Sequence, residues 1–354
     1  MITVVLTYRN REFNIVKNCL DSLNHQTNKN FSVTLVNYGS TENNKKSVIK
    51  LSKNYSFVSL LSCETEKQLW SKSKAINIAL KQCKTPYFFV GDIDMIYRSD
   101  FVNTLYSLKK EKQITYFQVG FLSETESKNK RSFSDYRINF KSNKEATGMT
   151  LYHTEVLKYI NGYDEFYHGW GSEDTDVHIR LLKAGFKVDF YDENVLMLHQ
   201  WHPKLYRSKE SKEPFHSSLE QINHQYIKKV EKKKQYLANT VFEWGIIPRN
   251  IDFSSQNSIT FTLTNLASEV DAFLYGYLEK YKNENLIIKI VTHNEYKSLK
   301  NFIKKILGKK YLIFYNYQTI NNLLLANIIA LYRDKYYEFE WNKTSSTIIL
   351  KIVL

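Results

Sequence analysis

The chain has 354 residues, 43% of them hydrophobic, and a formal net charge of +14. That length and apolar content suffice for a sizeable core and more than one domain, and make a globular, soluble chain the default. The longest apolar run near the C-terminus, 323–332, is interrupted by Asn327 and is far shorter than the roughly 20 residues that cross a bilayer.

The N-terminus opens directly on a strand-like run, with neither a basic leader nor an apolar signal core, so cytoplasmic residence is expected. Cys19, Cys63 and Cys83 match neither a zinc framework nor a secreted disulfide scaffold and read as ordinary buried or half-buried thiols. Lysine-rich runs at 204–213 and 228–234 would attract nucleic acid, anionic lipid surfaces or phosphorylated substrates, although solvated faces explain them equally well. No finger or RNP-like signature accompanies them, so nucleic acid is not an expected partner. A peripheral contact with anionic membrane, at its inner face, stays open.

In chain order, ITVVLT (2–7) reads as a buried strand, followed by an amphipathic segment over 13–23. SVTLVN (32–37) is a second strand with YGSTENN as the turn after it, and FVSLL (57–61) a third, ahead of a helical pattern over 69–81. TPYFFVGDIDM supplies a fourth strand that ends in acids. Strands alternating with helices at this spacing imply a mostly parallel α/β sheet. Ligands in such sheets bind beyond the carboxyl ends of the strands, so Thr7, Tyr8, Arg9, Asn37, Asp92 and Asp94 are expected to line one crevice. No G-x-G-x-x-G follows the first strand and no P-loop occurs, which argues against a dinucleotide enzyme or P-loop phosphotransferase.

Asp92 and Asp94, one residue apart where a buried strand emerges, can turn together towards a divalent ion and a diphosphate; hard oxygen ligands suit Mg2+ or Mn2+. Farther along, GWGSEDTD (169–176) runs into the helix-like VHIRLLKAG. Acids in a first helical turn satisfy free N–H groups and complement the macrodipole, which accounts for Glu173, Asp174 and Asp176 but not for Gly-Trp-Gly.

Over roughly the first 205 residues these motifs, in this order, resemble the GT-A glycosyltransferases, in particular family 2 enzymes and the chondroitin polymerase-like and β-1,4-galactosyltransferase-like domains. VVLTYRNRE is similar to the first strand and nucleotide-contact turn, and LVNYGSTE stands where many relatives have V-D-x-G-S. WSKSKAINIAL resembles the S-K-A-x-N-x-A segment, FFVGDIDMIY the metal-binding strand end, and the stretch ending GWGSED the acceptor-side G-W-G-G-E-D. The resemblance implies a GT-A fold, a UDP-sugar donor, a Mn2+ or Mg2+ cofactor, and a saccharide or lipid-linked saccharide acceptor. It puts Thr7, Tyr8, Arg9, Asn37, Lys74, Asn77 and Asp92 on the donor side, Trp170, Gly171 and Glu173 against the acceptor, and Asp174 as the base. Asp94 becomes the principal metal ligand with Asp92 in the ribose or metal shell, and His199 the expected third ligand, His202 the second choice.

Chemistry makes the same demand: glycosyl transfer from a nucleotide diphosphate needs a base for the acceptor hydroxyl and charge neutralisation on the departing diphosphate. Two departures from the pattern stand out. Ser172 replaces the third glycine of G-W-G-G, narrowing space by a hydroxymethyl group, and Asn37 replaces an Asp that binds uracil in many relatives, so the base is less firmly specified.

The catalytic domain is expected over 1–245, with 204–218 as a charged flap and a Lys-rich helix from about 220 to 237. Residues 246–354, with strand-like SITFTLT, NLIIKIVT and YLIFYNY, are expected to form a small α/β appendage of unknown role. The function so read is inverting, metal-dependent transfer of a Gal-, GalNAc-, Glc- or GlcNAc-type sugar in bacterial surface polysaccharide synthesis. An inactive nucleotide-sugar or glycan-binding module is the alternative, and a sugar nucleotidyltransferase lacks its Gly-rich N-terminal loop here.

Overall fold

The computed structural model describes residues 1–109, 113–203, 214–249, 251, 253 and 258–354. Most of the expected flap, with Lys204, Arg207 and Lys209, lies outside them. The described chain divides into two compact units: Met1–Glu66, 70–203 and Glu220–Ile247 form one, and Lys67–Leu69, 214–219 and Pro248–Leu354 the other.

The first unit is built on β1 (Ile2–Tyr8), whose seven residues are all buried. Their β-branched content suits a pleated surface covered on both sides. Ile2, Val4 and Leu6 enter one apolar cluster with Val16, Cys19, Leu20 and Leu23 of α1 (Phe13–Asn24), and Val5 enters another with residues of α3 (Lys72–Gln82). Each large side chain so buried contributes about 1.5–3 kcal/mol. The further elements are β2 (Phe31–Tyr38), α2 (Glu42–Ser52), β3 (Val58–Cys63), β4 (Tyr87–Asp92), β5 (Met95–Tyr97), α4 (Phe101–Ser107), β6 (Gln113–Phe117), β7 (Gly120–Leu122) and α5 (Glu124–Ser127). After them come β8 (Ile138–Lys141), β9 (Thr150–His153), α6 (Thr154–Tyr159), α7 (Glu173–Lys183), β10 (Lys187–Tyr191), β11 (Met197–His199) and α8 (Leu219–Lys232).

Seven strands form one sheet in the order β10-β6-β9-β4-β1-β2-β3, and β5-β11-β7-β8 form a second. Only β9 runs antiparallel to its neighbours in the larger sheet, so it is mixed α/β. The register sets Thr7 beside Asp92 and Tyr8 beside Asn37, which brings the carboxyl ends of β1, β2 and β4 level. All three cysteines are buried free thiols.

Two local readings change. YGSTENN is a turn only to Thr41, because Glu42 already begins α2, its acid favoured by the helix macrodipole. The helix expected from residue 69 starts at Lys72: Ser71 is its N-cap, and Lys67 and Leu69 instead bond the backbone of Phe339 and the Tyr337 hydroxyl.

The second unit carries β12 (Ser258–Thr264), α9 (Ala267–Ala272), β13 (Asn285–Val291), α10 (Leu299–Ile306), α11 (Tyr317–Leu331), β14 (Tyr337–Asn342) and β15 (Thr347–Val353). Its four strands order as β12-β13-β15-β14. Leu286, Ile288 and Ile290 alternate inward on β13 as Ile348, Leu350 and Ile352 do on β15, the period-2 pattern of a one-sided sheet. YLIFYNY (311–317) is no strand beyond the isolated Leu266–Phe314 bridge, since Asn316 caps α11 there. The apolar run 323–332 belongs to α11, and among the described residues no helix is long and apolar enough to cross a membrane.

Candidate active site

At the carboxyl end of β4 the chain turns through Asp92-Ile93-Asp94 into β5, whose antiparallel pairing with β11 sets Met95 opposite His199. Gln200 secures this corner. Its backbone N–H donates to Asp94 O at 2.9 Å, and its side-chain amide donates to Ile15 O at 3.1 Å while accepting from Asn18 at 2.9 Å.

Asp94, His199 and His202 thereby converge, their ligating atoms all within 4.8 Å of one another. His202 Nε2 lies 3.1 Å and His199 Nε2 3.7 Å from the Asp94 carboxylate, and Arg11 Nη2 is 3.2 Å away. His202 Nδ1 lies 3.1 Å from the Pro203 carbonyl, an oxygen that only accepts. Nε2 faces the Asp94 carboxylate, also an acceptor only, so both ring nitrogens are placed to donate; a cation bound at Nε2 would leave the proton on Nδ1, against the Pro203 carbonyl. His199 is held by stacking on Phe121, ring centroids 4.8 Å apart. Burial alone would raise the Asp94 pKa, yet the two imidazoles and Arg11 outweigh it and hold the carboxyl well below the usual range. Asp94 Oδ1 is buried and accepts no hydrogen bond among the described residues, so a carboxylate oxygen and two imidazole nitrogens fit a divalent cation with positions left over for ligand oxygens. Both histidines reach this cluster, not one of the two.

Asp92 turns the other way, its Oδ1 3.1 Å from Lys72 Nζ. The same ammonium lies 3.3 Å from Asp174 Oδ2 and 3.8 Å from Glu173 Oε1. Lys72 is the first residue of α3, the wrong end of a helix for a cation by the macrodipole, and three carboxylates offset that penalty. Burial by itself would lower its pKa, but Asp174, Asp92 and Glu173 hold it well above the usual lysine value. Sequence reasoning passed over Lys72 in favour of Lys74; the available signal was a lysine directly after a capping serine, at the helix end that disfavours a cation. Arg11, Gln200 and Asn223 were missed as well.

Glu173 and Asp174 open α7, whose N–H groups favour their charge. Burial nevertheless pushes Asp174 up to about 7, with Lys72 opposing and Glu173 and Asp92 adding. Its side chain keeps 15% of its surface accessible, and Oδ1 has no hydrogen-bond donor among the described residues. Gly148 guards that space: a Cβ there would stand 3.3 Å from Asp174 Oδ2. The third acid of the motif is not with them. Asp176 is fully buried and paired to Arg180 at 2.7 Å, and the guanidinium also donates to the carbonyls of Ile160 and Gly162, so this pair fixes the loop rather than facing a ligand.

The Gly-Trp-Gly loop is tied down by Asn223 of α8, whose amide donates to His168 O and Trp170 O at 2.9 and 3.1 Å, leaving the Trp170 indole 53% exposed. Gly171 takes φ +98°, and an added Cβ would meet nothing within 4 Å, so the backbone angle and not crowding requires glycine. Ser172 follows at φ +74°, so the glycine it replaces in the G-W-G-G pattern stands at a left-handed position.

The remaining expected donor residues divide. Thr7, Tyr8 and Asn37 lie level with Asp92 at the strand ends, all buried. Asn37 Oδ1 accepts from Ser40 N–H at 3.3 Å, and burial pushes the Tyr8 phenol up to about 12 while its hydroxyl reaches Asn44 O. Arg9 donates to Glu66 O at 2.8 Å. Asn77 is fully buried, bonding both the N–H and the carbonyl of Tyr163 and the Glu165 carboxylate, whose pKa burial raises and Lys74 opposes.

Comparison with known proteins locates the same segment. Residues 3–159 match the family model described as glycosyl transferase family 2, and residues 128–202 the model described as N-terminal domain of galactosyltransferase. A teichoic acid poly(glycerol phosphate) polymerase of Staphylococcus epidermidis is 33% identical over 97 residues, 26% of this chain and 12% of the polymerase. Human beta-1,4-galactosyltransferase 4 is 26% identical over 129 residues, 35% of this chain and 33% of that protein. The chain thus aligns with a third or less of these relatives. The crystal structure of S. aureus TarS 1-349 in complex with UDP superposes with a TM-score of 0.43 at 16% identity, covering 58% of this chain and 62% of that one. Both family-model matches fall within residues 3–202.

Proposed function

We propose that this chain, glycosyltransferase-like over residues 3–202, transfers a Gal-, GalNAc-, Glc- or GlcNAc-type sugar from a UDP-sugar to a glycan or lipid-linked glycan with inversion at the anomeric carbon. The reading rests on one observation above the others: the turn after β4 carries Asp94, in a cation-ready trio with His199 and His202, and Asp92, which Lys72 ties to a protonatable base, Asp174. The partial match to a galactosyltransferase supports a hexose donor, and the match to a teichoic acid polymerase supports a bacterial cell-surface polymer as the product.

The trio would hold Mn2+ or Mg2+, which when bound neutralises the diphosphate; imidazole ligands favour Mn2+. Thr7, Tyr8, Arg9, Asn37 and Asp92 form the nucleotide side of the crevice, and Trp170, Gly171 and Glu173 the acceptor side. Asp174 takes the proton of the acceptor hydroxyl as that oxygen bonds to the anomeric carbon and the bond to the diphosphate oxygen breaks, releasing UDP. Attack from the face opposite the leaving group inverts the centre. Lys72 keeps Asp174 ionisable near neutrality and orients Asp92, while Arg11 adds positive charge on the diphosphate side.

The test is a panel of UDP- and other nucleotide-sugars with purified protein and Mn2+, reading donor hydrolysis and calorimetric binding with and without chelator. Chelator-sensitive turnover of one UDP-sugar is the expected result. Binding of a different nucleotide would reassign the base at Asn37, and binding without turnover towards any acceptor would make the chain a nucleotide-sugar-binding module.

A further inference from the structure

We propose that α10 of the C-terminal unit is an interfacial anchor that seats its apolar face in an anionic lipid surface. Leu299, Phe302, Ile303, Ile306 and Leu307 recur at i, i+3, i+4, i+7 and i+8, the spacing of a single helical face. In a core helix that face is covered, as it is on α11, where Ile320, Leu324, Leu325 and Ile328 are all buried. On α10 it is inverted: no residue of the helix is buried, and the five stripe residues are between 45% and 72% exposed.

The back of the helix explains why. Asn301, on the side opposite the stripe, donates its amide to Leu312 O at 2.9 Å and accepts from Leu312 N–H at 2.8 Å, while Ser298 caps the first turn by accepting from Asn301 N–H. The helix is thus fastened through its polar side and presents its oily side outward. Ile313, 61% exposed, extends the patch, and a shallow depression of about 610 Å³ opens beside it, lined in part by Phe302, Tyr311 and Lys305. Large exposed side chains gathered in one contiguous face are not the scattered apolar residues any surface carries.

Charge selects the occupant. Between 295 and 313 the sequence has six lysines, Lys297, Lys300, Lys304, Lys305, Lys309 and Lys310, against one acid, Glu295, which lies 3.7 Å from Lys300. A short apolar face rimmed by cations of one sign matches a surface that is apolar below and uniformly negative above, as a bilayer with anionic headgroups is. Eight residues rise only about 12 Å, so the helix lies in the interface and does not cross it. This inference is independent of the proposed sugar transfer, because it concerns other residues and is read by binding alone.

The experiment is cosedimentation of the full chain with extruded vesicles of phosphatidylcholine alone and of phosphatidylcholine with phosphatidylglycerol in equal parts. Expected is binding to the mixed vesicles that weakens with added salt, and little to the neutral ones. The exposed double variants Phe302→Ser/Ile306→Ser and Lys304→Glu/Lys305→Glu should each retain the native circular dichroism and lower the apparent affinity about tenfold or more. Absence of vesicle binding, or equal binding by the Phe302→Ser/Ile306→Ser variant, overturns the proposal. So does a concentration-dependent dimer, without vesicle binding, that the same variant abolishes, since the face would then belong to a second copy.

Discussion

Asp94 and Asp174 are both largely buried carboxylates with cations beside them, but burial loses at one and wins at the other. Two imidazoles and a guanidinium surround Asp94 and hold it ionised far below the usual range. A single ammonium serves Asp174 and is shared with Asp92 and Glu173, so burial and like charge prevail and the carboxyl rises to about 7. The number of cations per carboxylate, rather than depth, sorts the two. A permanently charged acid suits a resident cation, whereas an acid balanced near neutrality can take a proton and give it back.

The most damaging way to break this contrast is Asp174→Asn, which keeps the shape and removes the base. Transfer should fall about 10³-fold while calorimetric UDP-sugar binding stays unchanged. A second readout comes from linkage. Because the folded-state pKa is raised, the native state binds more protons than the unfolded chain between about pH 4 and 7, and stability contributed at low pH is lost as pH rises through about 7. Asp174→Asn removes that loss, so it should melt above the wild type at pH 8 and not at pH 4. Unimpaired turnover would falsify the base assignment whatever the melts show.

Next in size are the cation ligands. His202→Ala and Asp94→Ala should each weaken Mn2+-dependent UDP binding about 100-fold and leave metal-independent binding where it was. If His199→Ala had the larger effect, His199 and not His202 would be the principal imidazole ligand.

Lys72 links Asp174 and Glu173 to Asp92, and Lys72→Met tests that link. Without the ammonium the ionised form of Asp174 loses its one counter-charge, so its pKa rises and the ascending limb of the rate profile moves to alkaline pH by about 1 unit. Activity at pH 7 should then fall about fivefold and recover almost fully at pH 9. A flat loss across the whole profile would make Lys72 a donor contact and not the link between the carboxylates.

How much of this was legible beforehand follows the same division. β1, β2, β4 and the acids at their ends could be read because apolar runs, turn residues and side-chain chemistry are local. Asp94, His199, Glu173 and Asp174 stood out for the same reason. Lys72, Arg11, Gln200 and Asn223 did not, since a lysine, an arginine or an amide declares a role only through what folding brings within 3 or 4 Å of it. The start of α3 was misplaced because Lys67–Leu69 make their hydrogen bonds with residues some 270 positions away. The inverted face of α10 was equally hidden: its spacing is that of any core helix, and only the fold shows which side is covered.

The smallest expected effect sharpens the reading of the Gly-Trp-Gly loop. Ser172 sits at φ +74° as the N-cap of α7, yet its hydroxyl makes no capping bond, so the position has the strain of a left-handed serine without the usual return. Ser172→Gly should relieve that strain while adding chain entropy in the unfolded state, for a net gain of about 0.5–1 kcal/mol in thermal unfolding. If the position matters only for its backbone angle, acceptor KM does not move. A lowered acceptor KM beside the same gain in stability would show that the hydroxymethyl group also narrows the pocket beside Glu173. No gain in stability at all would mean that the left-handed turn is held by the Asn223 and Arg180 ties strongly enough to carry a serine at no cost.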